Sequence, residues 1–174
     1  MNYATDLDWH REFLAFLARR LRPTSYLELG CEATPAVLGL AEFCGVTYGV
    51  DVTPIGFEPP SNFRYFQMTT DDFFERSASA IESPELILID ACHRSDQVLR
   101  DFEGVKKIAA TNALVVFHDT FPENIAYRTE AACWTSYLVP PEILASGEEI
   151  VTLPFPPGVS IVRLNPHLPN PPVL

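Results

Sequence analysis

Short apolar runs alternate with amphipathic segments along most of this chain. Five runs predict strands, at residues 25–30, 46–51, 63–68, 85–90 and 113–119. Between them, apolar residues recur every three or four positions, as they do on one face of a helix. These segments predict helices at residues 6–21, 35–44, 69–81 and 95–109. The alternation predicts a doubly wound α/β domain, and uninterrupted runs such as LILI and LVVF suit central parallel strands that helices cover on both faces.

The last part of the chain has a different pattern. Residues 148–154 and 159–164 read as two strands joined by a short Pro-Gly turn, which predicts an antiparallel hairpin at one edge of the sheet. Residues 165–174 then form a proline-rich tail, and proline lacks the N–H group that sheet pairing needs. We therefore expect one domain at 1–164 and a tail at 165–174 that lies on this chain's surface or on a partner subunit in a homo-oligomer.

Composition predicts a globular protein and disfavours some classes of binding partner. The 174 residues are 47% hydrophobic, which is enough to bury an ordinary core without metal or disulfide staples. A formal charge of −11 disfavours binding to nucleic acid and to anionic membranes. The N-terminus lacks the pattern of a secretory signal, and four cysteines without a CxxC pair predict free thiols. We expect a cytoplasmic protein whose partner is a small molecule.

Polar residues follow the first two predicted strands. In an open parallel sheet, ligands bind outside the carboxyl ends of the strands. Gly30 follows Glu28 and Leu29 at the first strand end, and its missing Cβ lets the backbone pass close to a ligand. Asp51 ends the second strand about 20 residues later, where its carboxylate can accept hydrogen bonds from two ribose hydroxyls. The spacing suits nucleoside recognition, although an ordinary structural turn explains it equally well.

A second group of polar side chains follows the fourth and fifth predicted strands. Asp90 and His93 come after one strand, and His118 and Asp119 end the next. Imidazole titrates near neutral pH, so His93 or His118 is a candidate general base, helped by Asp90 and Asp119. In the alternative interpretation, His118 and Asp119 cap the following turn and His93 begins a helix.

The motifs at these strand ends resemble those of class I S-adenosylmethionine (AdoMet)-dependent methyltransferases. The resembling segments are LELGCEATP, GVDVTP, FQMTTDDF, LILIDACH and VVFHDT. Within that class, the chain is most similar to the small O-methyltransferase-related group, which has an HD or ED pair after the fifth strand. The resemblance implies a Rossmann-like, mostly parallel sheet of seven strands in the order 3-2-1-4-5-7-6, ending in an antiparallel hairpin.

The resemblance also implies a cofactor and its contacts. AdoMet would place its methionine part beside Glu28 and Gly30, its ribose on Asp51 and its adenine near Thr70 or Asp71. The cofactor contacts expected by resemblance are Glu28, Gly30, Asp51, Thr70, Asp71 and Asp90. One departure stands out, because the family pattern E-x-G-x-x-x-G has Thr34 followed by Pro35 where its last glycine belongs.

Metal-dependent O-methyltransferases carry carboxylates at the ends of the fourth and fifth strands, where Mg²⁺ lowers the pKa of a substrate hydroxyl. By this resemblance, Asp90, His118 and Asp119 would hold a divalent ion, Mg²⁺ or Mn²⁺. Histidine suits a transition metal better than Mg²⁺, so either the metal differs or none binds. We expect O-methylation of a small molecule or sugar, with a catalytically inactive methyltransferase-like binding or assembly module as the alternative.

Overall fold

Seven strands form one sheet in the computed structural model, which describes residues 9–31 and 35–164. The strands are β1 (Ser25–Leu29), β2 (Val46–Asp51), β3 (Phe63–Gln67), β4 (Leu86–Ile89), β5 (Leu114–His118), β6 (Ile150–Leu153) and β7 (Val159–Arg163). Their order is β3-β2-β1-β4-β5-β7-β6. Strands β1 to β5 run parallel, and β7 pairs antiparallel with both β5 and β6. The predicted α/β class, strand order and closing hairpin are confirmed.

Five helices accompany the strands in the described part of the chain. They are α1 (Trp9–Leu21), α2 (Val37–Leu40), α3 (Thr70–Arg76), α4 (Ser95–Ile108) and α5 (Val139–Ala145). Three of them, α2, α3 and α4, connect parallel strands. Two predicted helices were too long, because 35–44 and 69–81 each end in a 3₁₀ turn, at Ala41–Phe43 and Ala78–Ala80. The predicted helix at 35–44 contains Gly39, and glycine is a weak helix former. The chain leaves helical geometry at the next residue, Leu40, where φ is −127°.

Both faces of the sheet are covered. Every residue of β1 and β4 is buried, and alternate side chains point to opposite faces. One face packs against α3, α4 and α5 through a cluster that includes Leu27, Leu29, Ile89, Phe73, Phe102, Phe117 and Ile143. The other packs against α1 and α2 through Leu14, Ala18, Tyr26, Val37, Leu40, Leu88 and Val116. Because both faces are occupied, the carboxyl edge of the strands is left for a ligand.

The start of α1 is tied to the tip of the β6–β7 hairpin. The indole Nε1 of Trp9 donates a hydrogen bond of 3.2 Å to the Pro156 carbonyl, and its ring lies 5.9 Å from the Phe155 ring. The start of α1 and the tip of the hairpin therefore meet beside the carboxyl edge of the sheet. All four cysteines are free. No helix within 9–31 and 35–164 has the length and apolar character to cross a bilayer. The predicted tail at 165–174 lies outside the described residues.

Candidate active site

Two adjoining cavities lie along the carboxyl ends of β1, β2, β4 and β5. The first has a volume of about 750 Å³ and reaches from the β1 turn to the ends of β4 and β5. The second, of about 370 Å³, lies against β2 and the start of α3. Ala91 and Cys92, which follow β4, line both cavities. Together the cavities form the kind of crevice in which open α/β sheets bind ligands.

Gly30 brings the end of β1 directly against the end of β4. Its φ is +95°, and a Cβ built there would lie 2.4 Å from the Asp90 carbonyl oxygen, so both conformation and space require glycine. The next N–H, of Cys31, donates to Asp51 Oδ2 at 2.8 Å, and the Thr53 N–H donates to Asp51 Oδ1 at 2.8 Å. Each carboxylate oxygen keeps a second lone pair for a ligand. Thr34 lies outside the described residues.

Glu28 is buried and holds the start of α2. Its Oε1 accepts a hydrogen bond from Ala36 N at 2.8 Å, and its Oε2 accepts from Val37 N at 2.9 Å and from the Tyr26 hydroxyl at 3.1 Å. Burial raises the pKa of Glu28 to about 7 in spite of these three bonds. The side chain also lines the first cavity. Glu28 therefore shapes the wall of the cavity, with both oxygens already engaged.

The second cavity gathers the residues predicted for the nucleoside. Asp51, Thr70 and Asp71 all line it. The Gln97 amide nitrogen lies 3.2 Å from Thr70 Oγ1, 3.1 Å from Asp71 Oδ1 and 3.0 Å from Asp101 Oδ1. This network joins the start of α3 to α4 and positions Thr70 and Asp71 at the cavity.

Asp101 lies beneath this network, fully buried, and its pKa is raised to about 6 because burial disfavours the carboxylate. The folded state therefore holds the proton more tightly than the unfolded state does. The protonated Asp101 side chain therefore contributes to the free energy of unfolding. Its contribution is complete below the ordinary pKa of 3.8 and is lost as the pH rises through about 6. We expect Asp101→Asn to remove up to about 3 kcal/mol of the fall in unfolding free energy between about pH 4 and pH 7.

Urea unfolding of both proteins across that pH range measures the difference, since every other group titrates in both. Glu103→Gln, an exposed acid on the same helix, is the matched control and should keep the wild-type slope. Parallel curves for wild type and Asp101→Asn would show that folding leaves the pKa of Asp101 unchanged.

Four side chains meet in the first cavity at the ends of β4 and β5. His93 Nε2 lies 3.0 Å from Asp119 Oδ2 and 3.4 Å from Asp90 Oδ1. His118 Nδ1 lies 3.1 Å from Asp90 Oδ1 and 3.5 Å from Asp119 Oδ2. The predicted catalytic residues Asp90, His93 and His118 and the predicted metal ligand Asp119 are therefore brought together in one cluster.

The electrostatics of this cluster favour positive charge between the two carboxylates. Burial lowers the pKa of His93, but hydrogen bonds and attraction to Asp119 and Asp90 outweigh it and raise the pKa to about 11. Burial raises the pKa of Asp90, but His118 and His93 hold it well below its usual range. A histidine that keeps its proton at neutral pH is a poor general base. This arrangement therefore disfavours His93 as the group that accepts a proton.

A family model described as a methyltransferase domain matches residues 7–120 of this chain. The chain belongs to that methyltransferase domain family. The match covers the strand ends that build both cavities and the cluster. The predicted relationship to class I AdoMet-dependent methyltransferases is confirmed. No curated protein matches the chain in sequence.

Solved structures share the fold of this methyltransferase domain. Cofactor-bound Rv0187 from MTB has a TM-score of 0.71 and 14% identity, covering 90% of this chain and 80% of that one. The O-methyltransferase from Bacillus cereus, in complex with SAH, has a TM-score of 0.70 and 14% identity, with 94% and 87% covered. The N-methyltransferase NodS from Bradyrhizobium japonicum WM9 has a TM-score of 0.66 and 17% identity, with 95% and 99% covered. At these identities the likeness concerns the fold.

The cluster in this methyltransferase domain offers only part of the donor set that Mg²⁺ prefers. Mg²⁺ takes carboxylate, carbonyl and water oxygens in octahedral geometry. Here two imidazole nitrogens, from His93 and His118, face the oxygens of Asp90 and Asp119. The predicted Mg²⁺ site does not fit this donor set.

Sequence reasoning missed two residues around the cluster in this methyltransferase domain. His10, in the first turn of α1, is buried with its ring centroid 3.9 Å from that of His118. Cys133 Sγ lies 3.4 Å from Asp119 Oδ1, and burial raises the pKa of this thiol to about 12, which keeps its proton available for donation. The sequence pattern of α1 did not indicate a role for His10, because the periodic positions of that helix were recognised by their apolar residues alone. His93 itself precedes α4, which begins at Ser95.

Proposed function

We propose that this chain is an AdoMet-dependent methyltransferase that modifies an oxygen atom of a small molecule or sugar in the cytoplasm. The observation that carries the proposal is the pair of adjoining cavities, one beside Asp51 and the other beside the histidine–carboxylate cluster. An elongated cofactor can occupy both cavities, with its reactive end at the cluster. The choice of oxygen as the acceptor atom follows the resemblance to the O-methyltransferase-related group, since the similar structures include both an O- and an N-methyltransferase.

The residues of the crevice suit AdoMet. In this proposal Asp51 accepts hydrogen bonds from the ribose hydroxyls, while Thr70 and Asp71 lie beside the adenine. The methionine part passes Gly30, where a Cβ would fill the space next to the β4 end. When bound, AdoMet supplies a methyl group on a positively charged sulfur, which is already reactive. The chain has only to orient the acceptor and help it lose a proton.

In this proposal the histidine–carboxylate cluster helps the acceptor lose its proton. An acceptor hydroxyl in the first cavity donates a hydrogen bond to the carboxylate of Asp90 or Asp119, which lie at its wall, and that carboxylate takes the hydroxyl proton as the oxygen accepts the methyl group. Positive charge held between these carboxylates lowers the pKa of the hydroxyl and stabilises the oxygen anion as it forms. His118, in contact with Asp90 at 3.1 Å, keeps the carboxylate in place. The proposed catalytic residues are therefore Asp90, His93 and His118, acting as one unit.

Binding of SAH, the demethylated product, tests the proposal. A ligand that binds only the folded state at 100 times its dissociation constant stabilises that state by about 2.7 kcal/mol, or roughly 5–10 °C in Tm for a chain of this size. We expect such a shift with AdoMet and with SAH. Asp51→Asn replaces a charged acceptor and should weaken SAH binding about 10- to 100-fold.

Isothermal calorimetry provides the dissociation constants for this comparison. Glu58→Gln removes an exposed carboxylate outside both cavities and should bind SAH as the wild type does. If neither AdoMet nor SAH stabilises the protein at millimolar concentration, the enzyme proposal fails and the binding or assembly module replaces it.

A further inference from the structure

Two side chains of β3 hold the turn that follows β2. Strand pairing between β2 and β3 ends with Asp51 opposite Gln67, and the next two residues, Val52 and Thr53, are exposed. Gln67 Nε2 donates a hydrogen bond of 3.3 Å to the Val52 carbonyl. The Tyr65 hydroxyl makes a hydrogen bond to the Thr53 carbonyl and lies 3.2 Å from the Asp51 carbonyl oxygen. These side chains therefore fasten the turn to β3 beyond the last paired residue.

The same turn sets the direction of the Asp51 carboxylate. The N–H of Thr53 donates to Asp51 Oδ1 at 2.8 Å. That N–H belongs to the same peptide unit as the Val52 carbonyl, which Gln67 holds. The N–H of Cys31 donates to Asp51 Oδ2 at 2.8 Å. These two bonds leave one lone pair on each carboxylate oxygen, so the position of the turn determines where the remaining lone pairs point.

The bonds from β3 contribute more to orientation than to stability. Val52 is 60% exposed, so water can satisfy the carbonyls of the turn, and each hydrogen bond then contributes little to the free energy of unfolding. Burial and the nearby charge of Asp51 raise the pKa of Tyr65 to about 12, so its hydroxyl keeps the hydrogen that it donates. Tyr65 and Gln67 line neither of the two cavities. Their route to a bound ligand is therefore indirect, through the turn that they hold.

We propose that Tyr65, assisted by Gln67, is a positioning residue for ribose recognition. It holds the turn so that both oxygens of Asp51 point at two neighbouring hydroxyl groups at once. A carboxylate that tilts can accept a good hydrogen bond from only one of them. This role rests on the proposed function, since the ribose belongs to the proposed cofactor. Tyr65 therefore affects the preference for ribose over deoxyribose more than the affinity for the rest of the cofactor.

SAH and its 2′-deoxyribose analogue are the probes for this role. Each is titrated by isothermal calorimetry into the full chain, as wild type and as Tyr65→Phe, which removes only the hydroxyl. The wild type should bind SAH about 10-fold or more tightly than the analogue, which lacks one hydrogen bond to a charged acceptor. In Tyr65→Phe, SAH should bind about 5- to 10-fold more weakly and the analogue about 2-fold more weakly at most.

Tyr48→Phe is the matched control for Tyr65→Phe. The Tyr48 hydroxyl, on β2, accepts a hydrogen bond of 3.2 Å from the Glu82 N–H, and neither residue lines a cavity. This variant should lose some stability but keep the wild-type preference for SAH. Asp51→Asn should lose most of that preference, and adding Tyr65→Phe to it should change SAH affinity little, since both act through one interaction. Circular dichroism and the melting temperature establish that each variant is folded.

Hydrogen exchange of the ligand-free protein gives a second measurement. Asp51 Oδ1 accepts the Thr53 amide hydrogen, so exchange at Thr53 should quicken in Tyr65→Phe and stay unchanged in Tyr48→Phe. Three results would each overturn the role of Tyr65: an unchanged ratio of the two affinities, equal weakening of SAH and its analogue, or unchanged exchange at Thr53. A wild type that binds no SAH would instead refute the proposed function, and exchange at Thr53 would still decide whether Tyr65 holds the turn.

Discussion

Gly30→Ala is expected to destabilise the protein by about 3 kcal/mol or more, because two costs add. A side chain at φ +95° costs of order 1–3 kcal/mol in backbone strain. The new Cβ would also lie 2.4 Å from the Asp90 carbonyl oxygen and 2.7 Å from the Ala91 Cα, both backbone atoms that cannot rotate away. The ends of β1 and β4 must then separate, and both cavities border that junction. We expect SAH affinity to fall together with the unfolding free energy.

Gly39→Ala is the matched control for this substitution. Gly39 lies on the exposed side of α2, and a Cβ there meets nothing within 4 Å among the described residues. Alanine is the better helix former by up to about 1 kcal/mol, so this variant should be as stable as the wild type or slightly more so. Urea unfolding measures both. Equal unfolding free energies for the two variants would mean that β1 and β4 do not approach as closely as described.

Glu28→Ala is expected to cost about 3–5 kcal/mol. It leaves the N–H groups of Ala36 and Val37 and the hydroxyl of Tyr26 without their acceptor in a buried place, and each such loss costs about 1–3 kcal/mol. The start of α2 then loses the carboxylate that holds it beside the first cavity. We expect a lower melting temperature and faster proteolysis near residues 35–40.

Two milder variants separate the contributions of Glu28. Tyr26→Phe removes one donor and no acceptor, so it should cost only about 1 kcal/mol. Glu28→Gln keeps one carbonyl oxygen but turns an amide donor toward a backbone donor, and its cost should lie between those of the other two. A Glu28→Ala protein that unfolds at the same urea concentration as Tyr26→Phe would contradict the proposed role of the carboxylate.

The strand ends were predictable because their chemistry is local. Asp51, Asp90 and His118 each end or follow an apolar run, and parallel strands bring their carboxyl ends to one edge regardless of the intervening sequence. The sequence could therefore place these residues near one another without any knowledge of their contacts.

The helices and the contacts were less predictable, because tertiary packing decides them. The helix expected at 35–44 shortened to Val37–Leu40, where the Glu28 carboxylate, distant in sequence, holds its start. The proximity of His10 to His118 depends on the packing of α1 across the sheet. The Ala132 carbonyl that fixes His93 comes from an irregular loop with no periodic pattern. Such contacts join residues whose spacing along the chain carries no signal.

The antiparallel position of β7 has a consequence for the order of assembly. Residue Val159 pairs with His118, and β5 has no other neighbour on that side. During synthesis, β5 therefore remains an edge strand until almost the whole described chain has emerged. The histidine–carboxylate cluster is complete only when the last strand is inserted, so a truncated chain that lacks this strand lacks a finished site even where every residue of the cluster is present.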